Sequence, residues 1–120
     1  MSFLSAFAAA VPTKDKDAYV AHIHETAEVF LTHGAVRYVE GWGSDVPPGE
    51  ITSFPLAVKC EPDETVVIGF VEWPSRASYD EGMPKVMHDM QEGMKSGAMR
   101  EPPFDGKRMI FGGFDVLVRR

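Results

Sequence analysis

Pro103-Phe104-Asp105-Gly106-Lys107-Arg108-Met109-Ile110-Phe111-Gly112-Gly113-Phe114 is the stretch that decides the fold. A turn pair, Asp105-Gly106, leads into an apolar run broken by two adjacent glycines. An apolar run without alternation predicts a strand buried on both faces, and such a strand needs two covers. In a chain of 120 residues its own helices supply one. The other is expected from a second copy of the chain.

Working back from that segment, Lys107 to about Val118 reads as the last strand and Glu101 to Gly106 as a loop. Pro84 suits the first position of a helix that Gly97 stops. Gly82 and Pro84 together predict a break, with a separate short turn over Arg76 to Glu81 behind the cap Ser75. Phe54 to Cys60 and Thr65 to Trp73 read as strands, joined as a hairpin by Glu61-Pro62-Asp63-Glu64. Gly43 to Ser53 is a loop. Ala35 to Trp42 alternates, with Val36, Tyr38, Glu40 and Trp42 on one face.

At the N-terminal end, Phe3 to Val11 is apolar and reads as a strand. Thr13 is expected to cap a helix whose inner stripe is Tyr19, Ile23, Ala27 and Phe30. His33-Gly34 ends that helix. The order predicts one domain over residues 1–120: an α+β, ferredoxin-like βαββαβ unit with an antiparallel sheet and helices on one face. The first and last strands are expected at its centre. The bare sheet face calls for a homodimer, a dimeric α/β barrel.

Bulk composition narrows the partners. Acids outnumber bases 18 to 12, for a net charge of -6, so no basic footprint for nucleic acid is expected. A single cysteine, Cys60, excludes an internal disulfide and points to a cytoplasmic setting. No apolar run reaches the roughly 20 residues of a membrane span.

Several stretches together resemble one family of uncharacterised bacterial proteins, the DUF1428 or YbaA-like family. They are Ala10-Val11-Pro12, Val39-Glu40-Gly41-Trp42-Gly43-Ser44-Asp45-Val46-Pro47, Glu72-Trp73-Pro74-Ser75-Arg76 and the segment quoted first. The resemblance spans nearly the whole chain and implies the dimeric α/β barrel fold. It implies no activity, because the family has none to transfer. The wider superfamily holds small monooxygenases, haem-degrading and dismutating enzymes and ligand-sensing domains, so fold alone does not choose among them.

Candidate chemistry rests on few residues. Glu40 and Glu72 each sit in an otherwise apolar strand, where a half-buried carboxylate beside aromatics has a raised pKa and can act as a general base. The bland alternative is an ion pair with Arg37 or Arg108. Tyr38, Trp42 and the helical stripe Met83, Met87, Met90 and Met94 supply apolar walls for a ligand, or else simple core packing. Arg108 clamps an anionic group, or bridges neighbouring loops. The histidines lack metal-ligand spacing: His22 and His24 point about 200° apart on a helix. They read as surface residues, His24 pairing with Glu28 and His88 with Glu92. No metal and no cofactor are expected.

Two functions therefore stay open. One is a small-molecule site between helices and sheet, with cofactor-independent oxygenase or isomerase chemistry at Glu40 or Glu72. Tyr38, Trp42, Met87, Met90 and Arg108 hold the ligand in that reading. The other is a non-catalytic dimer that binds a metabolite or a protein.

Overall fold

A computed structural model describes residues 2–120 of the chain. In chain order the elements are β1 (Phe3–Pro12), α1 (Lys16–Thr32), β2 (Arg37–Trp42), α2 (Phe54–Ala57), β3 (Glu64–Trp73), α3 (Arg76–Ser96) and β4 (Ile110–Asp115). The four strands form one antiparallel sheet in the order β2-β3-β1-β4. Helices α1 and α3 lie on one face, which gives the ferredoxin-like fold. The protein is a slab of 39 × 38 × 22 Å. Among the described residues no helix is long and apolar enough to cross a membrane.

Period-two alternation assigns each side chain to a layer. Phe3, Ala9, Val11, Val67, Val71 and Trp73 point toward the helices and are buried. Trp73 is the largest fully buried side chain. Gly82 of α3 lies over it, where an added Cβ would stand 2.6 Å from Trp73 Cζ3 and 2.5 Å from the His33 carbonyl oxygen. A glycine is therefore what lets α3 approach the sheet so closely.

Four parts of the chain depart from expectation. First, β1 and β3 are the central strands, and β4 is an edge strand, with Phe111 77% exposed. Of its two glycines, Gly113 serves close packing at that edge: a Cβ there would stand 2.7 Å from the Phe3 ring. The last strand is also shorter than expected. Gly106–Arg108 is a 3-10 turn, stabilised by the Asp105 carboxylate accepting from the Lys107 amide at 3.0 Å.

Second, Phe54–Cys60 is not a strand. Both edges of β3 are occupied, by β2 and β1, so no hairpin partner fits. Ser53 accepts from the Leu56 amide at 3.1 Å, and Pro55 sits in the first turn of a short helix. This segment folds over the sheet face away from α1 and α3. There Val58, fully buried, packs with Ala8, Ala10 and Val66.

Third, α3 is continuous through Pro84. Proline removes one hydrogen bond, to the carbonyl four residues back. Here that residue is Asp80, and both Asp80 and Pro84 are exposed, so the break in the ladder falls on the outer side of the helix. Ser75 caps the helix as expected, accepting from the Ser78 amide at 3.0 Å.

Fourth, Thr13 does not cap α1. Its hydroxyl bonds to that of Thr65 at 2.7 Å, and a 3-10 turn over Thr13–Asp15 precedes the helix. Of the expected inward stripe of α1, Tyr19, Ile23 and Phe30 do pack on the core, and His22 and Thr26 are buried beside them.

Away from Glu72 at its rim, the centre of the open face is apolar and uncovered. Phe70, Ile68, Ile110, Phe54 and Phe114 are 38 to 55% exposed. They line a shallow depression of about 350 Å³.

Candidate functional site

Strand β2 turns Tyr38, Glu40 and Trp42 toward the helices, as the alternation predicts. Glu40 stands opposite Gly69 of β3. The missing side chain makes room for the carboxyl group: a Cβ on Gly69 would lie 2.9 Å from Glu40 Cγ and 2.2 Å from Phe7 Cζ. Tyr19, reaching down from α1, donates its hydroxyl to Glu40 Oε1. Tyr38 donates to Oε2 at 2.5 Å. Among the described residues no cation pairs with this carboxyl group.

The electrostatics follow from that arrangement. Burial raises the Glu40 pKa, and the two tyrosyl hydrogen bonds only partly offset it. Both tyrosines are pushed well above their ordinary value, first by burial and then by the Glu40 charge. Aromatic rings close the surroundings. Tyr19 lies 6.4 Å from Trp42 and 5.7 Å, edge-on, from Phe104. Phe30 packs on Tyr38 at 5.4 Å, and Lys16 Nζ sits 5.2 Å over Trp42. A carboxylate flanked by two hydroxyl donors in an apolar wall can take a proton from a bound molecule, and a hydroxyl it then releases can donate to the oxyanion that forms.

The other expected site residues do not join Glu40. Glu72 is on the opposite, open face of the sheet, bound to Arg119 at 2.9 Å. Its partner is thus neither Arg37 nor Arg108. Arg108 is committed elsewhere: two bonds of 2.7 Å to Glu64, one of 3.2 Å to Asp105 and one of 2.8 Å to the Lys59 carbonyl. Glu64, its carboxylate partner, is five residues along β3 from Gly69, the residue opposite Glu40, which is about 17 Å of strand. It bridges loops rather than clamping a ligand beside Tyr38. Met87 is half exposed on α3, while Met83 and Met90 pack on the Trp73 cluster. The methionine stripe is thus core packing on one side and surface on the other.

His22 is buried, against the expectation of a surface residue. The histidine ion pair among the described residues is His33–Asp89 at 2.5 Å, rather than His24–Glu28 or His88–Glu92. Sequence reading gave Tyr19 and His22 no part in the site. The available signal was their spacing: residues 19, 22 and 26 fall on one helical stripe and all carry polar tips. Among the described residues no three metal-ligating side chains gather. Burial and the nearby Glu64 raise the Cys60 pKa, which disfavours the thiolate.

Comparison with known proteins agrees with this geometry at the level of fold. The model of the DUF1428 family, described as protein of unknown function, matches residues 2–106. The chain is 42% identical over 118 residues to the uncharacterized protein YbaA of Escherichia coli K12, covering 98% of each. The same figures hold for YbaA of Shigella flexneri. Among solved structures, a variant of SnoaB, a cofactor-independent oxygenase from Streptomyces nogalater, superposes with a TM-score of 0.56 at 12% identity. That match covers 98% of this chain and 95% of the other. A dimeric ferredoxin-like protein from an uncultured marine organism gives a TM-score of 0.54 at 12% identity, covering 99% and 98%.

Proposed function

The chain belongs to the DUF1428 family, and we propose that it is a homodimeric small-molecule protein in which Glu40 handles a proton. The observation that carries this reading is the Glu40 carboxyl group, buried without a cation and held by the hydroxyls of Tyr19 and Tyr38. A carboxylate poised in this way removes a proton from carbon or oxygen of a bound molecule. A tyrosyl hydroxyl then donates to the enolate or phenolate oxygen that forms. Returning the proton at another carbon gives an isomerase. Electron transfer from the carbanion to dissolved O₂ gives an oxygenase that needs no cofactor. The activity in the name of SnoaB supports that class by likeness of fold alone.

The open sheet face supports the homodimer. A compact monomer of 13.3 kDa exposes about 6,500 Å². This chain exposes 7850 Å². The excess is more than the ~800 Å² that each partner buries in an ordinary interface. Pairing through the open face leaves the Glu40 side of the sheet to the ligand.

One observation favours the second reading, a non-catalytic binding dimer. Glu72 and Arg108 are both spent on ion pairs, so neither is free to act on a ligand. Deuterium exchange from solvent into small aryl ketones and phenols, followed by NMR, separates the two. The proton-handling reading expects exchange with wild type and none above background with Glu40→Gln. Equal exchange by both proteins, or none by either, contradicts it.

A further inference from the structure

The Glu40 site has a second polar wall. His22 is 4% exposed and lies one turn of α1 from Tyr19. The Thr26 hydroxyl donates its hydrogen to the His22 carbonyl oxygen at 3.1 Å. With that hydrogen used, the Thr26 oxygen can only accept from His22 Nε2, 3.4 Å away. That arrangement assigns the ring proton to Nε2 and leaves Nδ1 as the acceptor. Nδ1 is buried, and it has no hydrogen-bond partner among the described residues. An acceptor left in that state costs about 1–3 kcal/mol. A core histidine with no role outside the protein chain gains nothing from that cost.

The ring's neighbours define what fits. Phe104 stands edge-on to both His22, at 6.4 Å and 66°, and Tyr19, at 5.7 Å and 71°. Charge is confined to the rim, where Arg100 and Glu25 bridge each other at 3.3 Å. Burial is the main influence on His22 and keeps the ring neutral; Glu25 and the Arg100 backbone oppose it and the Arg100 charge adds to it. Phe104 and Arg100 belong to the segment between α3 and β4. Its glycines, Gly97 with φ +81° and Gly106, have open space around them. The Met99 amide ties the start of this segment to the Gly93 carbonyl of α3 at 2.9 Å, so the stretch from Arg100 to Gly106 is the part that covers the ring.

We propose that His22 is a ligand-orienting residue of the Glu40 site, and that the ligand is a small, neutral aromatic molecule carrying an O–H or N–H donor. The donor bonds to Nδ1, the ring stacks among Phe104 and Tyr19, and the segment holding Phe104 is the way in. The inference rests on the proton-handling reading of Glu40, whose hydroxyl partner Tyr19 forms the shared wall.

The test titrates the full chain with phenol, and with anisole as the matched probe that lacks a donor. Long-range ¹H–¹⁵N NMR follows the histidine rings. In the free protein His22 is expected as the Nε2–H tautomer, and phenol shifts its Nδ1 resonance. Phenol binds about tenfold more tightly than anisole, the ratio that about 1.4 kcal/mol supplies. His22→Phe erases that preference, and Glu40→Gln keeps it. A protonated Nδ1 in the free protein, equal or undetectable binding of the two probes, or an unchanged preference in His22→Phe each overturns the inference. The tautomer and the Nδ1 shift are read on wild type, so they decide the matter even if His22→Phe does not fold. If His22→Phe keeps the phenol preference while Glu40→Gln loses deuterium exchange, this inference falls and the Glu40 reading stands.

Discussion

Protonation of Glu40 is coupled to folding because its pKa differs between the folded and unfolded chain. Burial raises the folded value above the ordinary 4.5. The stability this contributes is fully present below pH 4.5 and is lost as pH rises through the raised value. Wild type should therefore lose Tm relative to Glu40→Gln across that window. A Tm difference that does not change with pH contradicts the assignment. Glu64 has the opposite sign, since the Arg108 hydrogen bond lowers its pKa. Its contribution is present above pH 4.5 and fades as pH falls through the lowered value. Gly69 is the steric counterpart of Glu40. Gly69→Ala forces Phe7 and Glu40 apart and should cost about 1–3 kcal/mol in denaturant unfolding. Alternation along β2 made Glu40, Tyr38 and Trp42 legible as one face. Tyr19 was not legible as their partner, because it arrives from another element 21 residues away.

Elements whose local chemistry and tertiary setting agree are the ones the sequence reveals. Helix α3 begins at Ser75 because a serine there bonds the Ser78 amide. Ser75→Ala should lower stability by about 1 kcal/mol with the fold intact, measured by urea unfolding. Pro84 misleads because the penalty depends on where in the helix it falls, and both Pro84 and Asp80 lie on the exposed side. The segment Phe54–Cys60 misleads for a different reason. Its apolar residues do face a sheet, but as a cover over Ala8, Ala10 and Val66 rather than as a fifth strand. A short apolar run reports burial, and the neighbouring strands decide the conformation. The last strand shows the same limit: its apolar residues lie exposed at an edge of the sheet rather than at its centre.

For the whole molecule, the sheet has two faces with separate tasks. One carries the polar centre under α1 and α3. The other is an apolar surface of Ile68, Phe70, Ile110 and Phe114, capped at one end by Val58 and its neighbours. Glu72 lies on that second face and is tied to Arg119 at its rim. The need for a cover was legible from the strands, although the strand that first signalled it proved to be an edge. Burying the second face in a copy of itself is the claim that the account depends on, since it directs any ligand to the Glu40 side. Sedimentation equilibrium at micromolar concentration tests it most directly. Wild type should sediment at twice the 13.3 kDa chain mass, and Phe70→Asp, with unchanged circular dichroism, at the chain mass itself. A wild-type protein that sediments at 13.3 kDa throughout that range contradicts the account.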